Sequence, residues 1–308
     1  ARALRSVGWA AYIRHDYHES LSALESAVTR FRQANQLAMA AECLHMLSLV
    51  TGPQGLGEME ISIKYAKDAI QLSRMAGDPR QEAISLRRLA IVAMDQRAAT
   101  DPLSTARQAL NLHRELGDRN EECMALNVLG VTEAWLGQKE DALAHLHESL
   151  ALAKAINSNM GIWIAYSNLQ WLYFGGEGLY EAALAFADEH LALPGVDNDP
   201  FMKMNLQVSK AGILAGLGMY SQALENLAQA QSIAGRFASP VVQADFYVMA
   251  AEYAAEAGDF QEAHRMIEKA RELSNNFERP NDLARLLAMS AKIAWREWQA
   301  GRRAKLAP

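Results

Sequence analysis

The feature that most constrains this chain is an internal repeat of about 40 residues that runs along its whole length. One column of the repeat holds mostly small residues at spacings of 42, 40, 40, 41, 40 and 40: Ala27, Ala69, Ala109, Ser149, His190, Ala230 and Ala270. A second column lies seven residues earlier: Ser20, Ser62, Pro102, Ala142, Ala183, Ala223 and Ala263. Since seven residues are about two turns of an α-helix, both columns share one helix face. This pattern predicts closely packed helix pairs.

Two further columns explain how each pair is built. Leu or Ile follows the second column in six repeats and fills the contact between the helices: Leu21, Ile63, Leu103, Leu143, Leu184 and Leu224, with His264 in the seventh. Five residues before the second column, or four in the third repeat, the chain has mostly glycine: His15, Gly57, Ala98, Gly137, Gly178, Gly218 and Gly258. Glycine there can adopt the left-handed conformation that ends a helix. Each repeat is therefore predicted to be two helices joined by a tight turn.

Cap and proline signals mark the helix ends, as in Gly77-Asp78-Pro79, Gly117-Asp118 and Asp199-Pro200. First helices are predicted near 2–14, 37–50, 79–97, 119–136, 159–174, 200–217 and 240–257. Second helices are predicted near 17–34, 59–76, 102–116, 139–157, 180–193, 220–236 and 260–276. A closing helix near 281–300 carries Trp295 and Trp298, whose spacing predicts an apolar stripe over repeat seven.

These signals predict an all-α solenoid of about seven helix-turn-helix repeats with a C-terminal capping helix. We expect one domain over residues 1–308, and a chain that opens inside an amphipathic pattern is typical of a fragment of a larger protein. The predicted repeats are about 1–36, 37–77, 78–117, 118–158, 159–198, 199–238 and 239–278, with the capping helix at 281–300.

The repeat resembles a known family. The stretch Ala125-Leu126-Asn127-Val128-Leu129-Gly130, followed by Gly137, Ala142-Leu143, Leu146 and Leu150, resembles the tetratricopeptide signature. Its period near 40 is similar to the long repeats of the maltose-regulon activator, LuxR-like regulators and other bacterial signalling NTPases of the STAND class. The opening segment 3–12 with Asp16-Tyr17 is similar to the first repeats of those regulators. The resemblance implies a right-handed superhelix that acts as a sensor arm.

Net charge, hydrophobicity and cysteine content limit the kinds of partner and the cell compartment that we expect. The formal net charge is −6, which disfavours nucleic acid as a partner because phosphate binding needs a basic face. No apolar stretch reaches the roughly 18 residues that a membrane span needs. Cys43 and Cys123 show no metal or redox spacing and indicate small buried residues in a reducing compartment. We therefore predict a cytoplasmic protein without a membrane partner.

Local motifs that suggest catalysis or metal binding are incomplete. Gly52–Gly57 is rich in glycine but lacks the Lys-Ser/Thr pair of a phosphate-binding loop, so it indicates an enlarged turn. The segment His15–Glu19 contains two histidines but not the HExxH order of a zinc-binding helix. His145 and His147 lie two residues apart and point to different sides of a helix. The sequence predicts no enzyme, no catalytic residue, no metal site and no cofactor.

The resemblance implies a binding site along a concave groove lined by first helices. The residues that face this groove in the family are positions five, nine and twelve of each repeat, in a numbering that gives the large residue of the first helix position four. Transferred to this chain, with Trp135 added next to position twelve of repeat four, the predicted binding residues are Arg5, Trp9, Tyr12, His45, Arg87, Ile91, Met94, Asn127, Val131, Trp135, Ser167, Trp171 and Phe174. Arg5 and Arg87 are predicted to orient a carboxylate of the ligand. The alternative is that Trp9 and Trp171 pack against the next repeat, as we expect of Tyr166 and Tyr173.

Three functions remain open at this point. The first is a sensor module whose groove takes a peptide, a protein surface or a small ligand and signals to the NTPase or effector domains of a parent regulator of transcription or signalling. The second is a plain protein–protein scaffold without a ligand switch. The third is an enzyme with a groove site that the sequence does not reveal.

Overall fold

Antiparallel helix pairs make up the part of the chain that the computed structural model describes, which is residues 1–14, 16–53, 55–94, 100–173, 179–193, 195–235, 240–274 and 280–306. First helices are α1 (Arg2–Ile13), α3 (Leu37–Thr51), α5 (Pro79–Ala93), α7 (Arg119–Trp135), α9 (Asn159–Trp171), α11 (Pro200–Gly216) and α13 (Pro240–Glu256). Second helices are α2 (Tyr17–Gln33), α4 (Met59–Ala76), α6 (Pro102–Glu115), α8 (Lys139–Ala155), α10 (Tyr180–Leu191), α12 (Tyr220–Ala234) and α14 (Phe260–Ser274). The closing helix is α15 (Pro280–Leu306).

The all-α prediction of seven helix-turn-helix repeats and a closing helix is confirmed. A short 3₁₀ turn at Val196–Asn198 precedes α11, and the described ranges contain no strand. The predicted boundaries agree to within a few residues, except that α5 ends at Ala93 instead of near 97 and α15 continues to Leu306. His15, Ala98, Phe174 and Gly178, which belong to predicted columns or sites, lie outside the described residues. Among the described helices, none is long and apolar enough to cross a bilayer.

Helix starts follow the cap signals of the sequence. The Asp78 carboxylate accepts a hydrogen bond from the Gln81 backbone N–H at 3.0 Å. Asp199 accepts in the same way from Met202 at 3.0 Å. These carboxylates satisfy N–H groups that the first turn of a helix leaves without a partner. In the turns between paired helices Gly137 has φ +78° and Gly218 has φ +75°, which is the left-handed conformation predicted for that column.

The small-residue columns lie where paired helices touch. All seven residues of the first column are fully buried, and Ala142 and Ala223 of the second column are equally inaccessible. At the α7–α8 contact, a Cβ added to Gly130 would lie 2.8 Å from Leu146 Cγ. At the α1–α2 contact, a Cβ added to Gly8 would lie 2.6 Å from Leu24 Cγ. These pairs approach so closely because a side chain is missing at the crossing point.

The helices form two compact units, Ala1–Asn168 and Leu169–Pro308. In the first unit, buried Leu24, Leu47, Leu126 and Leu129 belong to clusters that fill the spaces between successive helices. In the second unit, one continuous cluster joins α11 to α15 and includes Phe246, which is fully buried. The prediction of a single domain over 1–308 stays a prediction.

The orientation of α15 differs from the sequence expectation. Leu286 and Ile293 are the buried residues that pack α15 against the preceding repeat. Trp295 and Trp298 are each 56 % exposed. The prediction that the two tryptophans cover repeat seven is therefore wrong. Leu286 and Ile293 are seven residues apart on one helix face, and the tryptophans lie on the other side of the helix.

Candidate ligand-binding wall

First helices of the first unit lie side by side, since α1 contacts α3, α3 contacts α5 and α5 contacts α7. We call the first-helix wall the surface formed by the position-five and position-nine residues of these helices: Arg5, Trp9, His45, Leu49, Arg87, Ile91, Asn127 and Val131. Tyr12, Met94, Trp135 and Ser167 lie at its borders on α1, the C-terminal end of α5, α7 and α9. Twelve of the thirteen predicted site residues are described, and all of these except Trp171 belong to the first unit.

An aromatic pair occupies the wall at α1. The rings of Trp9 and Tyr12 are stacked, with centroids 5.3 Å apart and planes inclined by 22°. Trp9 is 41 % exposed, so its ring is not a core residue. Tyr17 approaches Tyr12 at 6.0 Å and supports the pair from α2. Because Tyr12 fixes the orientation of the partly exposed Trp9 indole, and Tyr17 packs against Tyr12, the indole is a preorganised apolar contact surface.

Each arginine of the wall is paired with a glutamate of the next first helix. Arg5 Nη1 contacts Glu42 Oε2 at 2.5 Å, which joins α1 to α3. Arg87 Nη2 contacts Glu121 Oε2 at 3.0 Å, which joins α5 to α7. Both guanidinium groups therefore hold a carboxylate within the protein. A ligand carboxylate at either arginine has to compete with that internal partner.

His45 of α3 is in an environment that disfavours its charge. Its Nδ1 is out of contact with solvent and has no hydrogen-bond partner among the described residues. Burial, followed by the nearby Arg87 and Arg88, lowers the pKa of His45 to about 3. The imidazole is therefore neutral near pH 7 and contributes polar, uncharged surface to the wall.

Arg88 anchors α5 to the turn after α3. It is buried, and its Nη2 donates to the Ser48 carbonyl oxygen at 2.5 Å while its Nε donates to Ser48 Oγ at 3.1 Å. The guanidinium lies over Gly52, where an added Cβ would come within 1.9 Å of Nη2. Burial lowers the pKa of Arg88 to about 10, which still leaves it charged near pH 7. The glycine-rich turn thus makes room for a cation at the C-terminal end of a helix.

Asn127 is buried and its amide is used inside the protein. Its Nδ2 donates to Ser149 Oγ at 2.6 Å and to the Cys123 carbonyl at 3.2 Å. Its Oδ1 accepts from Asn168 Nδ2 at 3.1 Å. Asn127 therefore holds α7 against α8 and α9, and its amide atoms already have partners within the protein.

Trp171 belongs to the second unit and is 44 % exposed at the end of α9. Beside it, Gln170 is buried and donates a hydrogen bond to Ser209 Oγ. Tyr173 stacks on Phe186 with centroids 5.3 Å apart, which agrees with its expected packing role. Tyr166, in the first unit, is 1 % exposed, as expected of a core residue.

Sequence reasoning missed the partners that organise the wall: Glu42, Glu121, Arg88 and Asn168. They occupy positions outside the five, nine and twelve series. One signal was available, because the side-chain-free Gly52 in an enlarged turn leaves space for a long side chain of the next repeat. Groups of three or more His, Cys, Asp or Glu arranged to hold a metal ion do not occur among the described residues.

Comparison with known proteins gives structural matches. The sequence matches no protein-family model and no curated protein. The apo form of RapI superposes with a TM-score of 0.63 at 16 % identity, over 89 % of this chain and 97 % of RapI. A Rap protein in complex with competence and sporulation factor gives a TM-score of 0.61 at 17 % identity, over 94 % and 74 % of the two chains.

A third match is a STAND signal-transduction ATPase with a tetratricopeptide-repeat sensor from Pyrococcus horikoshii. Its TM-score is 0.59 at 17 % identity, over 92 % of this chain and 43 % of the ATPase. This chain thus corresponds to less than half of that protein. Together with the helix pairs and small-residue columns described above, these matches show that the chain has the tetratricopeptide-repeat fold.

Proposed function

We propose that this chain is a peptide- or protein-binding module of the tetratricopeptide type, and that it serves as the sensor or interaction arm of a multidomain signalling regulator. The observation that carries the proposal is the stacked Trp9–Tyr12 pair, in which the large apolar side chain of Trp9 is exposed on the first-helix wall. Tryptophan and tyrosine dominate the binding energy of many interfaces. The proposed molecule has no catalytic role.

Structural similarity supports the sensor role. One matching Rap protein is complexed with competence and sporulation factor, and the matching STAND ATPase has a tetratricopeptide-repeat sensor. A plain scaffold without a ligand switch is the second candidate. The two differ in whether binding changes the activity of an attached domain.

On this wall we expect ring contacts to contribute more affinity than the arginines. Arg5 and Arg87 are already neutralised by Glu42 and Glu121. Exchanging one carboxylate for another yields little net free energy, whereas covering an exposed indole removes apolar surface from water. The proposed ligand is therefore a peptide segment with an apolar or aromatic residue.

The test uses peptides selected on the wild-type protein from a displayed random-peptide library. We expect Trp9→Ala to weaken their binding by about 30-fold, which corresponds to about 2 kcal/mol for a central aromatic contact. Arg87→Ala is expected to have a smaller effect. Fluorescence anisotropy with labelled peptides gives both dissociation constants.

Stability measurements separate a binding ring from a packing ring. Trp9→Ala and Trp171→Ala are expected to lower the free energy of unfolding by under about 1 kcal/mol, as exposed positions usually do. Tyr166→Ala is the reference for a buried ring and is expected to lose about 3–5 kcal/mol. Trp298→Ala is the control of matched size and exposure outside the wall. Equal peptide affinity for wild type, Trp9→Ala and Trp298→Ala would contradict the proposal.

A further inference from the structure

Arg88 of α5 is a buried cation that has no carboxylate partner among the described residues. It is 4 % exposed, and its hydrogen bonds go to the carbonyl oxygen and the Oγ of Ser48, which are both uncharged. Burial and the like charge of Arg87 lower the pKa of Arg88, while Tyr12 acts in the opposite direction. Buried ions are usually paired with an opposite charge, because they have lost their hydration. Arg88 therefore needs a compensating negative charge.

The C-terminal end of α3 compensates part of this charge. Ser48 lies in the last turn of α3, where the free carbonyl groups carry about half a negative charge. A full positive charge exceeds what the helix end supplies. The neighbouring pairs Arg5–Glu42 and Arg87–Glu121 contain equal positive and negative charge and leave this balance unchanged. A net positive charge therefore remains beneath the first-helix wall between α3 and α5.

Two partly exposed side chains lie close to this charge on the wall. His45 is near enough to Arg87 and Arg88 for both arginines to lower its pKa, after the larger effect of burial. The side chain of Arg87 is 18 % exposed, and its contact with Glu121 uses Nη2, one of the three guanidinium nitrogens. We call His45, Arg87 and Arg88 the arginine patch. A guanidinium and a neutral imidazole both donate hydrogen bonds, so the patch suits an anionic acceptor.

Aliphatic side chains lie one helix turn beyond the arginine patch. Leu49 follows His45 by four residues on α3, and Ile91 follows Arg87 by four residues on α5. Both aliphatic residues are partly exposed. Four residues of an α-helix span about 6 Å, and side chains i and i+2 on one face of an extended segment are about 6.7 Å apart. A segment parallel to these helices can therefore place an acidic residue at the patch and an apolar residue, two positions away, on the aliphatic pair.

We propose that the peptide ligand of the first-helix wall carries an internal Asp or Glu that binds at the arginine patch, with an apolar residue two positions away. This inference rests on the proposed function and adds a charge to the apolar residue expected there. Arg88 supplies the uncompensated positive charge, while Arg87 and His45 donate hydrogen bonds to the carboxylate. The acidic residue is internal because the wall continues past the patch to α1 on one side and to α7 on the other.

Matched peptides test the charge of the ligand on the unaltered protein. The probe is a peptide selected from the displayed random-peptide library, and we expect the selected peptides to contain Asp or Glu two positions from an apolar residue more often than the unselected library. Replacing that residue by Asn or Gln keeps its size and removes its charge. We expect fluorescence anisotropy to show at least about 10-fold weaker binding of the uncharged peptide. Amidation of the C-terminus of the probe is expected to leave its affinity unchanged.

Substitutions of Arg88 test which group recognises the charge. In Arg88→Met we expect the preference for the charged peptide to fall from about 10-fold to less than about 2-fold. Arg88→Lys keeps the positive charge and is expected to retain most of the preference. Arg30→Met makes the same change of net charge at an exposed position of α2 and should keep the full preference. Circular dichroism verifies folding, because Arg88 also holds the end of α3.

Equal affinities of the charged and the uncharged peptide for the wild-type protein overturn the proposal, and this comparison depends on no protein variant. A preference that Arg88→Met leaves intact also overturns it, as does a preference that disappears when the C-terminus is amidated. The proposed function fails by a different result, since it is contradicted when Trp9→Ala binds the selected peptides normally. Binding that depends on Trp9 but not on the acidic residue therefore overturns the arginine patch alone.

Discussion

Ala142→Asp is expected to unfold the repeat to which it belongs, and Ala223→Asp is expected to do the same in the second unit. Ala142 is fully buried on α8, and its carbonyl lies 3.1 Å from where a Gly130 Cβ would be. The backbones of α7 and α8 therefore leave no space for a larger side chain. An aspartate there adds overpacking of about 1–3 kcal/mol to the cost of burying a carboxylate without a partner.

The resulting loss of about 4 kcal/mol or more is a large fraction of the stability of an ordinary domain. Urea unfolding followed by circular dichroism measures it. The matched controls are Ala144→Asp and Ala228→Asp, which place the same side chain at exposed positions of the same helices. Because neighbouring repeats stabilise each other, unfolding is expected to spread beyond the altered repeat. If the buried and exposed variants unfold at the same urea concentration, the assigned helix contacts are wrong.

Acid is expected to destabilise the fold through histidines that are buried in the neutral form. Burial lowers the pKa of His190 to about 4, and burial together with Arg87 and Arg88 lowers that of His45 to about 3. Burial also lowers the pKa of His113, where Arg87 and Arg80 act in the same direction and Glu121 and Asp118 oppose them. All three side chains favour the uncharged imidazole in the folded state.

The sign of the effect follows from proton binding. In the unfolded chain a histidine takes up its proton near pH 6.5, whereas in the folded chain His45 and His190 stay neutral until about pH 3 and about pH 4. Their contribution to stability is therefore complete above about pH 6.5 and is lost as the pH falls. Below about pH 6.5 each of the two histidines lowers the free energy of unfolding by about 1.4 kcal/mol per pH unit. Together they lower it by about 5 kcal/mol between pH 6 and pH 4.

Urea unfolding at several pH values measures this slope. His190→Ala restores the alanine of five other repeats, and His45→Asn introduces the residue that Asn127 provides at the same position of repeat four. Each substitution is expected to reduce the slope of the free energy of unfolding against pH, in the acid range, by the contribution of nearly one bound proton. His18→Gln alters an exposed histidine and should keep the full slope. If the free energy of unfolding falls equally steeply with decreasing pH in all variants, carboxylates and not these histidines cause the acid unfolding.

Local signals in the sequence determined the repeats. Gly137 and Gly218 end first helices because only glycine adopts their left-handed backbone without strain. Asp78 and Asp199 begin helices because their carboxylates accept from the first turn. These effects act within a few residues, so they can be recognised in the sequence without knowledge of the fold. The all-α architecture, the seven helix pairs and most helix boundaries followed from them.

Part of the candidate site was also predictable from the sequence. The family resemblance assigned Trp9 to the concave groove, with packing against the next repeat as the alternative, and Tyr166 to the core. The structure has them 41 % and 1 % exposed. The buried state of Asn127 and the carboxylate partners of Arg5 and Arg87 were not predictable. Glu42 and Glu121 lie more than 30 residues from those arginines. Their pairing depends on how far each first helix is shifted along its neighbour.

Tertiary structure alone decided contacts of this kind. Arg88 reaches Ser48 in the preceding repeat because Gly52 leaves its guanidinium space beside the end of α3. Both sides of α15 carry apolar residues, so its pattern could not show which side packs. The ion pairs to Asp245, Glu252 and Glu256 accompany the side that buries Leu286 and Ile293 and leaves Trp295 and Trp298 exposed. Sequence periodicity fixes which residues share a helix face, whereas the packing of neighbouring helices decides which face is buried.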